Sequence, residues 1–338
     1  MTQTPTHTDP WTPEQALAWY SRQGWLLGFN YVTSSAVNTT EMWQAETFDP
    51  RTIDQELRWA NQIGYNTCRV FLQFLVWRAD REGFLRRMGQ FLDIAQAHRL
   101  RVMFVPFDDC SFSGKQPYLG VQDAPIPGVH NSGWVGSPGS ARVTDPAAWP
   151  ELQAYIGDVV GRFARDERVV LWDLYNEPGN EGMGEASLPL VEAAFAWARS
   201  AGPIAPLSVG IWNPGQAIAC ELFAKLSDVI TFHSYSPPDD IRAFAEVLGR
   251  LGRPIICTEW LRRPECPLEP TLSFFKAQNI GCYHWGLVNG KTQTHFPWGS
   301  KPGAPEPELW FHDLLDRSGR PKYVEEFIAI QRVLGRVK

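Results

Sequence analysis

Long apolar runs are absent from the sequence, and so are clusters of basic residues. A membrane-spanning helix needs about 18 consecutive apolar residues, so we expect no membrane partner. The chain has 31 Lys and Arg against 37 Asp and Glu, which gives a net charge of −6. Because phosphate binding requires clustered positive charge, we predict that the chain binds no nucleic acid.

Cysteine pairs with metal-binding spacing are also missing. The six cysteines include no CxxC pair, and His, Asp and Glu do not cluster at ligand spacing, so we predict no metal and no cofactor. Residues 1–10 have neither the basic start nor the apolar core of a secretory signal. These features predict a cytoplasmic protein with reduced thiols, although an exported protein without its leader would have the same sequence. Nothing in the sequence indicates an oligomeric state.

What the sequence does contain is an ordinary globular composition, with 44% hydrophobic and 20% charged residues. We predict one catalytic domain over residues 1–338, with residues 1–20 as an N-terminal extension. The 15 Trp stand out against 9 Tyr. Most of them are expected in the core, but flat indole rings also stack on ligands with apolar faces.

Eight short apolar runs alternate with segments of helical period. Runs of this kind are typical of parallel strands that are buried on both faces. The predicted strands are Trp25–Val32, Thr67–Gln73, Arg101–Phe107, Val169–Asn176, Pro206–Trp212, Val229–Tyr235, Pro254–Trp260 and Ile280–Leu287. The predicted helices are Thr52–Ile63, Phe84–His98, Leu152–Ala164, Leu188–Arg199, Ala217–Leu226, Ile241–Leu251, Thr271–Gln278 and Tyr323–Leu334.

Eight alternations and the lack of GxGxxG after the first strand favour a closed α/β barrel over an open doubly wound sheet. The predicted fold class is therefore α/β, a single (β/α)8 TIM barrel with long βα loops after strands 3 and 8. Those loops, 108–146 and 289–307, are too long for ordinary connections, and we expect them over the active site. In such barrels polar residues that end apolar strands form the site. Here they are Asn30, Arg69, Asp108, Asn176, Glu177, Trp212, His233, Tyr235, Glu259 and Trp285.

Two of these residues are glutamates on strands that face each other across the barrel mouth. Glu177 ends strand four in Asn-Glu-Pro, and Glu259 ends strand seven in Thr-Glu-Trp. Cleavage of a glycosidic bond uses one carboxyl to protonate the leaving oxygen and another to attack or stabilise the sugar. The pattern therefore predicts Glu177 as the acid/base and Glu259 as the nucleophile, since Arg69 and the Tyr235 hydroxyl are available to keep Glu259 ionised.

These motifs resemble clan A of the glycoside hydrolases, which contains the family 5 cellulases and mannanases. The resemblance extends over residues 25–334. It implies that Arg69 lies beside the nucleophile, that Asn176 holds the sugar 2-hydroxyl and that Trp285 forms the floor of the −1 subsite. His233 and Tyr235, in His-Ser-Tyr, end strand six where family 5 places a histidine and a tyrosine.

One position departs from the family pattern. Family 5 enzymes usually have a histidine after strand three, where this chain has Asp108 and Asp109. Either acid would suit the hydroxyls of a terminal sugar, and a loop-capping role is the alternative. Other candidate sugar-binding residues are the strand-end Asn30 and Trp212 and the loop residues Trp134, His130 and Lys291.

We therefore predict a retaining β-glycosidase that acts on β-linked oligosaccharides or glycosides, with the two large loops favouring an exo-acting pocket. One alternative is an endo-acting glucanase, mannanase or xylanase of the same clan. Another is a catalytically silent carbohydrate-binding barrel, which would need neither carboxylate. A transglycosylase would share every residue named. The sequence does not identify the sugar, because sugar specificity depends on side-chain directions in loops whose shape the sequence does not give.

Overall fold

A ring of eight parallel strands forms the centre of the molecule. The structure, a computed structural model, describes residues 9–337. The strands are β1 (Leu27–Tyr31), β2 (Thr67–Phe71), β3 (Arg101–Val105), β4 (Val169–Asp173), β5 (Leu207–Ser208), β6 (Ile230–His233), β7 (Ile255–Trp260) and β8 (Gly281–His284). Each lies within a predicted range, and nearly every strand residue is buried, as expected when both faces of a sheet are covered.

The strands pair in the order β5-β4-β3-β2-β1-β8-β7-β6. A parallel bridge between Ile211 and Phe232 joins the two ends of this order, after β5 and within β6. The predicted (β/α)8 barrel is therefore confirmed. Because all strands are parallel, their carboxyl ends meet at one mouth.

Two further short strands extend β3 and β4 toward that mouth. They are Phe107–Asp108 and Tyr175–Asn176, and they pair with each other in parallel. Pro106, which has no N–H for a ladder bond, separates the first of them from β3. The extension sets Asp108 opposite Asn176.

Helices surround the barrel, and the eight predicted ones are all present with ends shifted by a few residues. In α3 the residues that begin, end and bury the helix can be identified. Asp49 caps its first turn, and Gly64 ends it in a left-handed conformation. Ile53, Leu57 and Ile63 form its buried face. The helices are α1 (Pro13–Ser21), α2 (Thr39–Trp43), α3 (Pro50–Ile63), α4 (Phe74–Ala79), α5 (Arg81–Ala97), α6 (Ser140–Val143), α7 (Trp149–Arg162), α8 (Leu188–Ser200), α9 (Ala217–Leu226), α10 (Pro238–Gly249), α11 (Leu268–Ala277) and α12 (Val324–Val333).

Most of the predicted N-terminal extension that is described forms α1, which closes the end of the barrel opposite the mouth. Thr12 caps the helix, and Trp19 and Tyr20 are buried with Met103 and Ile256 of the barrel interior. The Tyr20 hydroxyl donates to the Asn279 carbonyl oxygen at 2.8 Å. The rest of the extension, and most of the region assessed for a signal, lies in residues 1–8, outside the described residues.

All six cysteines are free, and five of them are buried. In residues 9–337, none of the helices has the length and apolar character needed to traverse a bilayer.

Candidate active site

Two carboxylates from opposite strands meet at the barrel mouth. Glu259 lies in β7, and Glu177 follows the extension of β4. An oxygen of each lies within 4.8 Å of an oxygen of the other. Glu177 has φ 43°, a left-handed backbone conformation that non-glycine residues rarely adopt and that concentrates at functional sites.

Arg69 is the fully buried cation beneath this pair. Its guanidinium forms ion pairs with Asp173 at 2.8 Å and with Glu259 at 2.7 Å. It also donates to the side-chain oxygens of Asn30 and Asn176, each at 2.7 Å. A buried charge is stable only when its donors are satisfied, so these four acceptors fix the guanidinium and, through it, Glu259 and Asn176.

The two glutamates have different partners. Glu259 accepts hydrogen bonds from the Arg69 guanidinium and, at 2.8 Å, from the Tyr235 hydroxyl. Glu177 accepts from the Asn180 amide at 2.6 Å and from the Cys110 thiol at 3.3 Å. The positive charge is thus held against Glu259, and the predicted positions of Arg69 and Tyr235 beside it are found.

His233 lies between the two carboxylates. Its Nδ1 is 2.8 Å from Glu177 Oε1 and 3.7 Å from Glu259 Oε2. Burial lowers the pKa of His233 to about 4, so the ring is neutral near pH 7. Nε2 is buried, and it has no hydrogen-bond partner in residues 9–337. We assign the proton to Nδ1, which then donates to Glu177, because a buried N–H without an acceptor costs more than an unused lone pair. A side chain at Gly210 would collide with this ring.

Burial raises the pKa of both glutamates above the ordinary value. The Arg69 charge opposes the rise at Glu259, with which it forms a direct ion pair. Burial also raises the pKa of the Cys110 thiol well above its usual range, so the thiol stays protonated and donates to Glu177. The Cys110 and Asn180 donors oppose the rise in the pKa of Glu177. The direct ion pair with Arg69 belongs to Glu259, and this difference favours ionisation of Glu259 over that of Glu177.

Glu177, His233 and Glu259 are close enough together to hold a metal ion. However, Arg69 and Tyr235 already engage both oxygens of Glu259. A divalent cation at Glu259 would share an oxygen with one of these donors and would lie near the positive guanidinium. The absence of a metal stays a prediction.

A cavity of about 640 Å³ opens above the carboxylates. Of the predicted site residues, it is bordered by Glu177, Glu259, Asn176, His233, Tyr235, Trp285, Trp212, Trp134 and His130. Trp134 and Trp285 lie edge to face, with ring centroids 6.0 Å apart. The volume and the mixture of rings with a few polar groups are typical of a small-molecule site.

Asn30 and Asp108 lie behind the cavity instead. Asn30 donates to the Thr258 carbonyl oxygen at 2.8 Å while its own oxygen holds Arg69. Asp108 accepts from the Asn176 amide, the Trp134 indole and the Cys110 backbone N–H. All three donors belong to the protein, so in this structure Asp108 orients Asn176 and Trp134, and its sugar-binding role stays a prediction.

Asp109 and Lys291 have structural partners. Asp109 accepts from the Gly179 backbone N–H and the Tyr175 hydroxyl, the contacts of a loop-capping residue. Lys291 pairs with Glu41 at 2.6 Å and is not among the residues that border the cavity.

Sequence reasoning missed Asp173, Cys110, Asn180 and His312, which hold Arg69 or border the cavity. Asp173 had a usable signal, since a charged residue inside an apolar strand needs an opposite charge such as Arg69. His312 had none, because it follows β8 by 28 residues and reaches the mouth only through the fold of that loop.

By sequence, the chain matches no family model and no curated protein. Solved structures do share its fold. A GH5_18 protein from Streptomyces cattleya, in complex with Manβ1-4GlcNAc, is 15% identical over 91% of this chain and 80% of its own, with a TM-score of 0.61. An exo-β-1,4-mannosidase from Opitutaceae bacterium strain TAV5 is 19% identical over 91% and 59%, with a TM-score of 0.62. A GH5-4 broad-specificity endoglucanase from Clostridium longisporum is 13% identical over 96% and 99%, also at 0.62. The fold is thus shared with family 5 glycoside hydrolases, in agreement with the resemblance that the motifs carry.

Proposed function

We propose that the chain is a retaining β-glycosidase that hydrolyses β-linked oligosaccharides or glycosides. The observation that carries this proposal is the pair Glu177 and Glu259, with oxygens within 4.8 Å of each other at the cavity floor. Retaining enzymes keep their carboxyl groups about 5–5.5 Å apart, whereas inverting enzymes need about 6.5–9.5 Å to admit a water between sugar and base.

In this mechanism Glu177 protonates the leaving oxygen while Glu259 attacks the anomeric carbon and forms a glycosyl ester. Glu177, now a carboxylate, then takes a proton from water, which attacks the same carbon and releases Glu259. The surroundings suit both roles, because the Arg69 charge is held against Glu259 and the partners of Glu177 are neutral.

Trp285 and Asn176 provide the sugar contacts that the clan resemblance implies. Trp285 borders the cavity beside Trp134, and its ring offers an apolar platform for a pyranose. The Asn176 amide is oriented by Asp108 and Arg69. A side chain held from two sides loses little freedom when it binds a hydroxyl.

The two long loops support an exo-acting pocket, because they are joined to each other over one side of the mouth. The Asn131 N–H donates to the Thr292 carbonyl oxygen at 2.7 Å, and the Gly303 N–H donates to that of Pro127 at 2.8 Å. The His130 N–H donates to the Ser300 hydroxyl at 2.9 Å. Loops joined in this way wall off that side of the mouth, which favours a pocket over a groove open at both ends.

The test is hydrolysis of defined β-linked tetrasaccharides together with a panel of aryl β-glycosides. The panel begins with β-mannosides, because the GH5_18 neighbour contains Manβ1-4GlcNAc. We expect monosaccharide as the only early product, with β anomer first by NMR. Early disaccharide would favour the endo-acting alternative, which the endoglucanase neighbour also represents. Binding without turnover on every substrate would favour the carbohydrate-binding barrel.

A further inference from the structure

One wall of the cavity contains polar atoms that no residue in 9–337 satisfies. The wall is formed by His130 and Asn131 of the loop after β3 and by His312 of the loop after β8. All three residues are buried, with 4%, 1% and 1% of their surfaces exposed. We call these three residues the acceptor wall.

In both histidines Nδ1 is bonded to the backbone, and Nε2 has no hydrogen-bond partner in the described part of the chain. His312 Nδ1 lies 2.5 Å from the Leu261 carbonyl oxygen, and His130 Nδ1 lies 2.7 Å from that of Phe296. A carbonyl only accepts, so each Nδ1 has the proton and each Nε2 presents a lone pair. Burial lowers the pKa of His130 to about 4 and that of His312 well below 6.5, so both rings are neutral acceptors near pH 7.

Asn131 adds a third acceptor. Its side-chain oxygen is buried without a hydrogen-bond partner in the described chain. Its backbone N–H is held by Thr292 and its φ is 49°, so the residue is fixed in place. A buried amide oxygen without a donor is costly, which favours a ligand that supplies one.

The acceptor wall lies close to the nucleophile. The ring centroids of His312 and Tyr235 are 5.5 Å apart, and the Tyr235 hydroxyl contacts Glu259. The ring centroids of His130 and His312 are also 5.5 Å apart. The Asn131 backbone carbonyl oxygen accepts from the Trp134 N–H, and Trp134 packs on Trp285. The wall thus borders the space above Trp285, where the attacked sugar sits in the proposed mechanism.

The charged side chains that border the cavity are acidic. Glu181, Asp240 and Glu259 border it beside the acid Glu177, and within residues 9–337 no Lys or Arg side chain does. The Arg69 cation lies beneath the two glutamates and is already paired with Glu259. Hydroxyl groups donate to acceptors, whereas a sugar carboxylate would face lone pairs and carboxylates with no cation to bind it.

We propose that His130, Asn131 and His312 form the recognition site for the hydroxyls of a neutral terminal sugar, and that this site rejects glycones with a carboxylate. This inference rests on the proposed function only for the place of the sugar in the reaction. Sugar binding itself is measurable without turnover.

The experiment measures binding of methyl β-glycosides to the chain with Glu177→Gln, which blocks turnover. The ligands are the mannoside, glucoside, galactoside and xyloside, and the glucuronide as the charged match of the glucoside. His130→Asn and His312→Asn are the test variants, because an Asn amide can replace the Nδ1–H donor while Nε2 is lost. Asn131→Gly is the third, since glycine accepts φ 49°. His98→Gln is the control, because this histidine pairs with Asp54 and is not among the residues that border the cavity.

We expect at least one neutral glycoside to bind, each test variant to weaken its affinity about tenfold and the control to leave it unchanged. The glucuronide should bind at least tenfold more weakly than the glucoside. Unchanged affinity in all three variants, or preference for the glucuronide, overturns the inference even if the wild type hydrolyses glycosides. Weakened binding in the variants without hydrolysis by the wild type refutes the proposed function and keeps the inference. If the chain neither binds nor hydrolyses any of these glycosides, both the inference and the proposed function are refuted.

Discussion

Replacing Tyr235 by phenylalanine tests the assignment of the nucleophile most directly. The Tyr235 hydroxyl donates to Glu259 Oε2 at 2.8 Å. Burial, with Glu259 adding to it, raises the pKa of the phenol well above 10, so the hydroxyl remains a donor at every working pH. Tyr235→Phe removes one hydrogen bond from the ionised form of Glu259 and leaves the rest of the ring in place.

The size of the effect follows from the charge on the acceptor. A hydrogen bond to a charged group contributes about 1.5–3 kcal/mol, and one pKa unit corresponds to about 1.4 kcal/mol. The carboxylate loses more than the carboxylic acid does, so the pKa of Glu259 should rise by about 1–2 units in the variant. Because attack requires the ionised form of Glu259, the acid limb of the plot of kcat/KM against pH should shift to higher pH by the same number of units.

The assay is kcat/KM on the best aryl β-glycoside across the acid and neutral range. Tyr283→Phe is the matched control, since its buried hydroxyl bonds Thr67 at 3.0 Å and has no contact with Glu259. Both variants should lose similar stability, and only Tyr235→Phe should move the limb. An acid limb that stays in place in Tyr235→Phe would show that Glu259 is not the group whose ionisation limits catalysis.

Three further outcomes are expected. Glu259→Ala should abolish turnover, and azide should partly restore it with an α-glycosyl azide as the product by NMR; a β product would contradict the nucleophile assignment. Glu177→Ala should lower kcat/KM far more for alkyl than for dinitrophenyl leaving groups, because only the former need protonation, and equal losses would argue against an acid role. Asp173→Asn should lower the free energy of unfolding in urea by about 3 kcal/mol, because Asp173 is a buried partner of Arg69. Asp239→Asn, which breaks an exposed ion pair, should change it by less than about 0.5 kcal/mol, and equal losses in the two variants would contradict this reasoning.

The barrel could be predicted because each of its strands has a local signature. A parallel strand covered on both faces is a short apolar run, and its helix shows one apolar stripe, so both patterns are visible in a single sequence. The sequence does not predict the short helices α2, α4 and α6, since four to six residues contain too little periodicity to recognise. The packing of α1 against the far end of the barrel depends on the closed ring and has no signature of its own.

The positions of the two catalytic carboxylates could be predicted because they follow from the order of the strands. Once the strands are numbered, parallel order places the ends of β4 and β7 at one mouth, and Glu177 and Glu259 come with them. The same reasoning brought Arg69 and Tyr235 to Glu259. It could not show that Asp108 and Asn30 lie behind the cavity, because the direction of a side chain at a strand end depends on how the backbone turns there.

The sequence by itself therefore determined the fold class, the mouth and the pair of acids, since these follow from local hydrophobic period and strand order. Only the tertiary structure decided how the two long loops join, and with them the acceptor wall of His130, Asn131 and His312. His130 and Phe296 are 166 residues apart, yet 2.7 Å separates His130 Nδ1 from the Phe296 carbonyl oxygen. Contacts of this kind arise from irregular backbone with no repeating period, so they cannot be predicted from the order of the residues.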